Sequence, residues 1–309
     1  MKKTLILLFL AISTIGYSQQ LEWIPFNWES GIIGRKLVEK VAITIPVTID
    51  TLPHKFNMQL DLGAVNTVFY GNSIKPYLEK YPYLKSKIDS TKTFFIQSKE
   101  NVKLNDVDLY LGTIAFNIID VGLFDKYGKK ISKRSINSKK EHHIGTIAPD
   151  LFQDKILIID YKQQRLAVAE TLPVEYTDAA FEKFEIKNGR IKIPFAINEK
   201  EELLMFDTGS SIFSLVTTKE NALKVGSADV EKTMTVSSWG EKVTFYGLKT
   251  VIPIYFGKKE LVNSLVYYND KGTFDYFFES ENIWGLTGNA YFLENIIIIN
   301  YKDNLFGIK

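Results

Sequence analysis

The chain has 309 residues, of which 45% are hydrophobic and 13% aromatic, and its 38 basic and 36 acidic side chains give a formal net charge of +2. This apolar and aromatic content predicts a packed globular protein rather than a disordered one, and the near balance of charge excludes the basic footprint of a nucleic-acid-binding protein. The sequence contains no cysteine, which excludes disulfides and cysteine lipidation. We therefore expect stability to come from the hydrophobic core.

The first 18 residues have the pattern of a secretory signal peptide. Two lysines precede the apolar run 5–12, and Gly16 and Ser18 are small residues of the kind a signal peptidase recognises. The apolar run is too short to span a bilayer, which takes about 20 residues. We expect residues 1–18 to be removed, and the mature chain to be exported to the periplasm or the extracellular space without an integral membrane segment.

The next part of the chain predicts strands around an acidic turn. Alternating apolar and polar residues at 41–49 and at Phe56–Leu60 predict two strands, joined by a turn at Leu52–Lys55 that contains His54. Asp61-Leu62-Gly63-Ala64 follows directly. Aspartate and glycine are ordinary turn residues, so this motif alone carries little functional weight.

A helix and a hairpin are predicted next. The helix covers 73–79 and closes before Pro82, because proline disfavours helical geometry in the residue before it. The hairpin pairs 93–96 with 102–104 around a turn at 98–101.

The basic segment 129–140 predicts a solvated surface loop. His142 and His143 follow it, and we expect a loop or packing role for them, because adjacent histidines rarely converge on one ion. We expect neither a metal nor another cofactor. The continuous apolar run 156–159 predicts a buried strand, and Thr171–Pro173 is the predicted domain boundary.

The second half predicts the same kinds of element. A strand at 191–197 is followed by the apolar run 203–205, which ends at Phe206-Asp207-Thr208-Gly209-Ser210. A hairpin is predicted for 233–236 with 243–246 around a turn at 238–241, and a buried strand for 296–299. No Gly-x-Ser-x-Gly elbow surrounds Ser210 and Ser211, so they do not predict a serine hydrolase.

These similarities amount to an internal repeat, which gives the two acidic turns their weight. Asp61 recurs as Asp207 at an offset of 146 residues. The flanking segments recur at similar offsets: Ile45–Asp50 as Ile193–Asn198 at 148, Gly145–Phe152 as Gly285–Phe292 at 140, and Ile156–Lys162 as Ile296–Lys302 at 140. Insertions in loops explain the small drift.

With these motifs the chain resembles the bilobal, pepsin-like aspartic peptidases over nearly all of its mature length. The second half fits that pattern closely, with Asp207-Thr208-Gly209-Ser210, then Ile283-Trp284-Gly285, then the strand 296–299. The first half departs from it at Leu62, where the family has threonine or serine, and at His143, which takes an apolar position.

The resemblance implies an all-β fold of two pseudo-symmetric, β-barrel-like lobes with a few short helices. The N-terminal lobe, 19–172, would carry Asp61, and the C-terminal lobe, 173–309, would carry Asp207. The hairpin near residue 98 would be the flap that closes over substrate.

The resemblance also implies an aspartic endopeptidase that acts on polypeptides as a monomer, with Asp61 and Asp207 as catalytic residues. The neighbouring motif residues would contact substrate: Gly63, Ala64, Thr208, Gly209 and Ser210. The chemistry suits such a pair, because two adjacent carboxyls cannot both ionise and together offer an acid and a base.

Two alternatives stay open. An exported peptide-binding protein could keep the cleft without the chemistry, and Leu62 favours it. A retropepsin-like fold could also have duplicated for a narrow processing task. Retention of both acids favours an enzyme, because an unused buried carboxyl is costly. In the family a hydroxyl after each acid reaches across to the other lobe, so Leu62 predicts that only Thr208 makes that contact here.

Overall fold

The computed structural model describes residues 21–96, 98–238, 240–261 and 264–309. The predicted signal peptide lies outside the described residues. The described chain is predominantly β, as the sequence predicts.

The strands within these ranges, in chain order, are β1 (Ile24–Pro25), β2 (Asn27–Ile33), β3 (Lys36–Ile49), β4 (Phe56–Leu60), β5 (Val68–Tyr70), β6 (Ile88–Ile96), β7 (Lys99–Leu111), β8 (Ile114–Phe124), β9 (His142–Ile147), β10 (Ile156–Asp160), β11 (Arg165–Ala169), β12 (Ala180–Lys183), β13 (Glu185–Lys187), β14 (Arg190–Ile197), β15 (Lys200–Phe206), β16 (Leu215–Thr217), β17 (Gly226–Ser238), β18 (Glu241–Thr250), β19 (Ile254–Phe256), β20 (Lys259–Glu260), β21 (Leu265–Tyr268), β22 (Gly285–Thr287), β23 (Ile296–Asn300) and β24 (Leu305–Ile308). The α-helices there are α1 (Gly71–Lys80), α2 (Pro82–Ser86), α3 (Lys219–Val225) and α4 (Asp275–Glu281). Short 3-10 turns cover Ser135–Asn137, Pro149–Phe152, Val174–Tyr176, Thr208–Ser210 and Asn289–Tyr291.

The two halves of the sequence build two sheets with the same strand order. In the first half the order β3-β4-β9-β5-β8-β7-β6 continues from the edge strand β2. In the second half the order is β14-β15-β22-β16-β21-β18-β17, with β13, β19 and β20 added beside β14. The parallel pairs also coincide, since β4–β9 corresponds to β15–β22 and β5–β8 to β16–β21. The sequence repeat is therefore a repeat of topology.

A third sheet joins strands from both halves in the order β1-β11-β10-β23-β24-β12. At its centre β10 and β23 pair antiparallel, with Ile158 opposite Ile298. These two residues are also partners in the repeat, 140 positions apart, so a local two-fold axis passes between them. The prediction of buried strands at 156–159 and 296–299 is confirmed, with Ile296 half-buried at the edge of its run.

The predicted local elements are found with small differences. Both hairpins are present, but β7 begins at Lys99 and β18 at Glu241, inside the turns that the sequence predicts. Helix α1 extends the prediction at both ends. It stops before Tyr81. Pro82 follows and is the first residue of α2, a position where the missing N–H of proline loses no hydrogen bond.

His142 and His143 lie in strand β9 rather than in a loop. His143 Nδ1 is 2.9 Å from Asn57 Oδ1, and His142 Nδ1 contacts the Tyr77 hydroxyl. Their role in the fold is therefore packing and hydrogen bonding.

One large buried cluster contains residues from both halves, among them Ile45, Phe56, Phe195, Phe206 and Phe306, each no more than 1% exposed. Along the chain that the structure describes, no helix is long and apolar enough to cross a membrane.

The strand pair on the two-fold axis gives a stability prediction. Ile298 is fully buried, so Ile298→Ala should lower the free energy of unfolding by about 2–5 kcal/mol through lost burial and the cavity left behind. Ile32, which is 78% exposed, is the matched control, and Ile32→Ala should change stability by less than about 0.5 kcal/mol. Urea denaturation measures both. Equal effects would contradict a core at the β10–β23 pair.

Candidate active site

Asp61 lies at the end of β4, in a tight turn that surrounds its carboxylate with backbone amides. Its own N–H donates to Ile147 O across the parallel pair with β9, which fixes the start of the turn. Asp61 Oδ1 accepts hydrogen bonds from the amides of Gly63 and Ala64, both at 3.1 Å. The residue is only 8% exposed, so these bonds replace the water that a surface carboxylate would have.

Asp207 has the same position in the second half. It follows β15, its N–H donates to Thr287 O, and its Oδ1 accepts from the amides of Gly209 at 2.8 Å and Ser210 at 3.2 Å. Thr287 is 140 residues after Ile147, which fits the repeat. The two acidic turns are thus built by equivalent strands with equivalent hydrogen bonds.

The structure brings the two carboxyls together, each against the turn that carries the other. A Cβ placed on Gly63 would lie 2.4 Å from Asp207 Cγ, and one placed on Gly209 would lie 2.7 Å from Asp61 Cγ. Both distances are too short for a side chain. Each glycine is therefore required because the acid of the other half lies against its Cα, a stronger demand than the turn geometry the sequence suggested.

The Thr208 side chain connects the two turns by hydrogen bonds. Its fully buried hydroxyl accepts a hydrogen bond from Leu62 N at 2.9 Å and donates one to Leu60 O at 2.8 Å. Leu62, also fully buried, has no hydroxyl with which to reciprocate. The prediction that the hydroxyl contact to the opposite turn comes from Thr208, with no counterpart at Leu62, is confirmed. Thr208 is a positioning residue, because its hydroxyl is bound within the protein.

A second difference between the turns concerns the outer carboxylate oxygen. Ser210 Oγ donates to Asp207 Oδ2 at 2.8 Å, whereas Ala64 in the equivalent position has no side-chain donor. Asp207 thus accepts three hydrogen bonds from its own turn, against two for Asp61. Hydrogen bonds from N–H and O–H donors favour an ionised carboxylate.

Burial raises the pKa of Asp61 well above its usual value, and the adjacent Asp207 carboxyl raises it further by its charge and by their mutual hydrogen bond. The amides of Ala64 and Gly63 oppose this shift only in part. The two carboxyls therefore titrate as a pair that shares one proton.

Two tyrosines near Asp61 were not anticipated from the sequence. Tyr70 and Tyr127 contact each other edge to face, with ring centroids 4.8 Å apart. Burial raises the pKa of both. Tyr70 lies in the apolar strand β5, so its sequence context resembles core and gives no sign of a nearby acid.

A cavity of about 200 Å³ opens beside the Asp61 turn. Its walls are the turn residues Gly63–Asn66, the hairpin residues Phe95 and Ile96, and Arg190 at the start of β14. Gly63 and Ala64, predicted to contact substrate, therefore line an open space beside the dyad. Arg190 was missed because a single arginine at a strand end has no distinctive spacing.

No group of three or more histidine, aspartate or glutamate side chains suited to a metal ion occurs in the described residues. No protein-family model matches the chain, and no curated protein matches it. The resemblance to aspartic peptidases therefore stays a prediction from the repeated motifs.

The raised pKa of Asp61 predicts how stability depends on pH. In the folded state Asp61 keeps its proton above pH 3.8, where the unfolded chain has lost it. This contribution to stability is complete below about pH 4 and is lost as pH rises toward the folded-state pKa. Asp61→Asn removes the titration, so the variant should gain stability relative to the parent as pH rises from about 4 to 8.

Urea denaturation at several pH values tests this. Asp89→Asn is the control, because hydrogen bonds from Thr91 and Asn105 lower the pKa of Asp89 to about 2, and its stability difference from the parent should stay constant above about pH 4. A pH-independent difference for Asp61→Asn would contradict the shared-proton arrangement.

Proposed function

We propose that this chain is an aspartic endopeptidase of two pepsin-like lobes, 19–172 and 173–309, exported by its signal peptide and cleaving polypeptides in a cleft between the lobes. The observation that carries the proposal is the contact between Asp61 and Asp207, each held by amides at the end of an equivalent strand. The matching strand orders and the two-fold pairing of β10 with β23 support the lobes.

The proposed reaction uses the one proton that Asp61 and Asp207 share. The ionised carboxylate of the pair accepts a proton from a water molecule as the water oxygen attacks the scissile carbonyl carbon. The protonated carboxyl of the pair donates its proton to the carbonyl oxygen, which gives a neutral tetrahedral gem-diol. The carboxyl that accepted the water proton then donates it to the amide nitrogen, and one gem-diol hydroxyl gives its proton to the other carboxylate as the C–N bond breaks. The products are an amine and a carboxylic acid, and the pair again holds one proton.

A binding protein without catalysis is the second candidate, and Leu62 is the observation that favours it. One half of the contact between the turns is missing, and a net hydrogen bond is worth about 0.5–1.5 kcal/mol. That loss can loosen the distance between the carboxyls without dismantling the core, so we expect a slow enzyme.

The proposed reaction requires both acids, Asp61 and Asp207. Cleavage of an unfolded protein mixture should have a bell-shaped pH dependence with its optimum on the acid side of neutrality, because one proton must stay on the pair. Asp61→Asn and Asp207→Asn should each abolish cleavage, since the two carboxyls act as a unit. Asp160→Asn, which changes a buried acid in β10, should retain it. Near-normal cleavage by Asp61→Asn would rule out this mechanism.

Leu62 lacks the hydroxyl that would make the second contact between the turns. Leu62→Thr restores the second contact between the turns and should raise kcat by up to about tenfold, which corresponds to about 1.4 kcal/mol of improved positioning. Leu62→Val is the matched control, because valine has the shape of threonine without its hydroxyl, and it should give no gain. If parent and Leu62→Thr are both inactive while folded, the binding protein becomes the better proposal.

A further inference from the structure

The cavity beside the Asp61 turn is apolar on one side and cationic on the other. Val65, Phe95 and Ile96 supply apolar surface, and Phe95 is 65% exposed. Arg190 supplies the charge, with 22% of its side chain exposed. No acidic residue lines this cavity in the described chain.

Contacts with other residues hold the Arg190 guanidinium in place. Its Nε donates to Gly63 O at 2.8 Å, its Nη1 lies 3.4 Å from Glu281 Oε1, and its centre lies 5.4 Å from the Phe277 ring. These contacts come from three separate segments. Within the described residues Nη2 has no protein acceptor, so part of the planar fork is free to bind a ligand.

Glu281 does not cancel the positive charge, because it is shared. Lys192, only 1% exposed, pairs with Glu281 Oε2 at 2.9 Å, and Asn188 donates to Oε1. The buried group of Arg190, Lys192 and Glu281 therefore carries a net charge of +1. Lys192 is enclosed, so the charge that reaches the cavity is that of Arg190.

We propose that Arg190 makes this cavity a subsite for a carboxylate of the substrate, which gives the peptidase a preference for an acidic residue close to the cleaved bond. The inference rests on the proposed function for its position relative to that bond. A planar guanidinium with free donors matches a carboxylate in geometry and charge. The apolar wall would take the methylene groups of a glutamate better than the shorter aspartate.

The carboxylate could belong to a side chain or to the C-terminus of the substrate, and peptides distinguish the two. Bonds cleaved in an unfolded protein mixture are first identified. Synthetic peptides around one such bond then carry Glu, Gln or Lys at each neighbouring position, and a parallel pair ends in a free or an amidated C-terminus. Assays at about pH 6 keep the peptide glutamate ionised.

We expect kcat/KM for Glu over Gln to be about tenfold at one position, as for a charge-assisted hydrogen bond at a partly exposed site, and to fall with added salt. Arg190→Gln should bring this ratio to about one, and Arg190→Glu should invert it in favour of Lys. Because the ratio compares kcat/KM for two peptides with the same variant, a general loss of activity does not change it. Arg165→Gln, which removes another ion-paired arginine in the six-stranded sheet, should leave the ratio unchanged.

An active parent with no acidic preference at any position, or a preference that survives Arg190→Gln, would overturn the subsite while leaving the peptidase intact. If no bond is cleaved, the proposed function fails, and the subsite is tested by fluorescence anisotropy with labelled peptides of one apolar sequence that carries either Glu or Gln at its centre. Tighter binding of Glu peptides that Arg190→Gln abolishes would support it. Equal binding, or none, would overturn it.

Discussion

The structure depends on the burial of two carboxyls against each other. Two such groups can coexist in contact only if they share a proton and if N–H or O–H donors solvate the remaining charge. Each acid therefore needs a turn that aims backbone amides at its carboxylate, and each turn needs a glycine where the opposite acid lies against its Cα. Both halves must meet these requirements. They do so because their sheets have equivalent strand orders and because β10 and β23 pair about a local two-fold axis.

The symmetry is broken at two positions, with different consequences. Thr208 opposite Leu62 leaves a single hydroxyl to hold the turns together, which bears on the distance between the carboxyls. Ser210 opposite Ala64 gives Asp207 the additional hydrogen bond, which bears on how firmly that carboxyl is held. Both differences place the stabilising group in the second half. The second turn thus supplies two side-chain hydroxyls to the pair of turns, and the first supplies none.

Much of this arrangement could be predicted from the sequence, because the repeat fixed which segments are equivalent. The two hairpins, the buried strands at 156–159 and 296–299 and the Thr208 contact follow from that equivalence and from alternation of apolar residues. The placement of His142 and His143 in a strand could not be predicted, because polar residues at the start of a strand resemble the end of a loop. Tyr70 and Arg190 were missed because their roles depend on long-range contacts rather than on local pattern.

The cationic cavity and the acidic pair both adjoin the same short turn. The peptide unit between Gly63 and Ala64 joins them, since its N–H donates to Asp61 Oδ1 while its carbonyl accepts from Arg190 Nε. The guanidinium therefore comes from the second half to fix the peptide unit that supports the acid of the first. Leu62 provides no hydroxyl at this turn, and the Arg190 contact gives the turn another polar link to the second half. In the proposed subsite a substrate carboxylate would bind the same guanidinium that holds this peptide unit, so its binding would be linked to the position of Asp61 through one hydrogen bond.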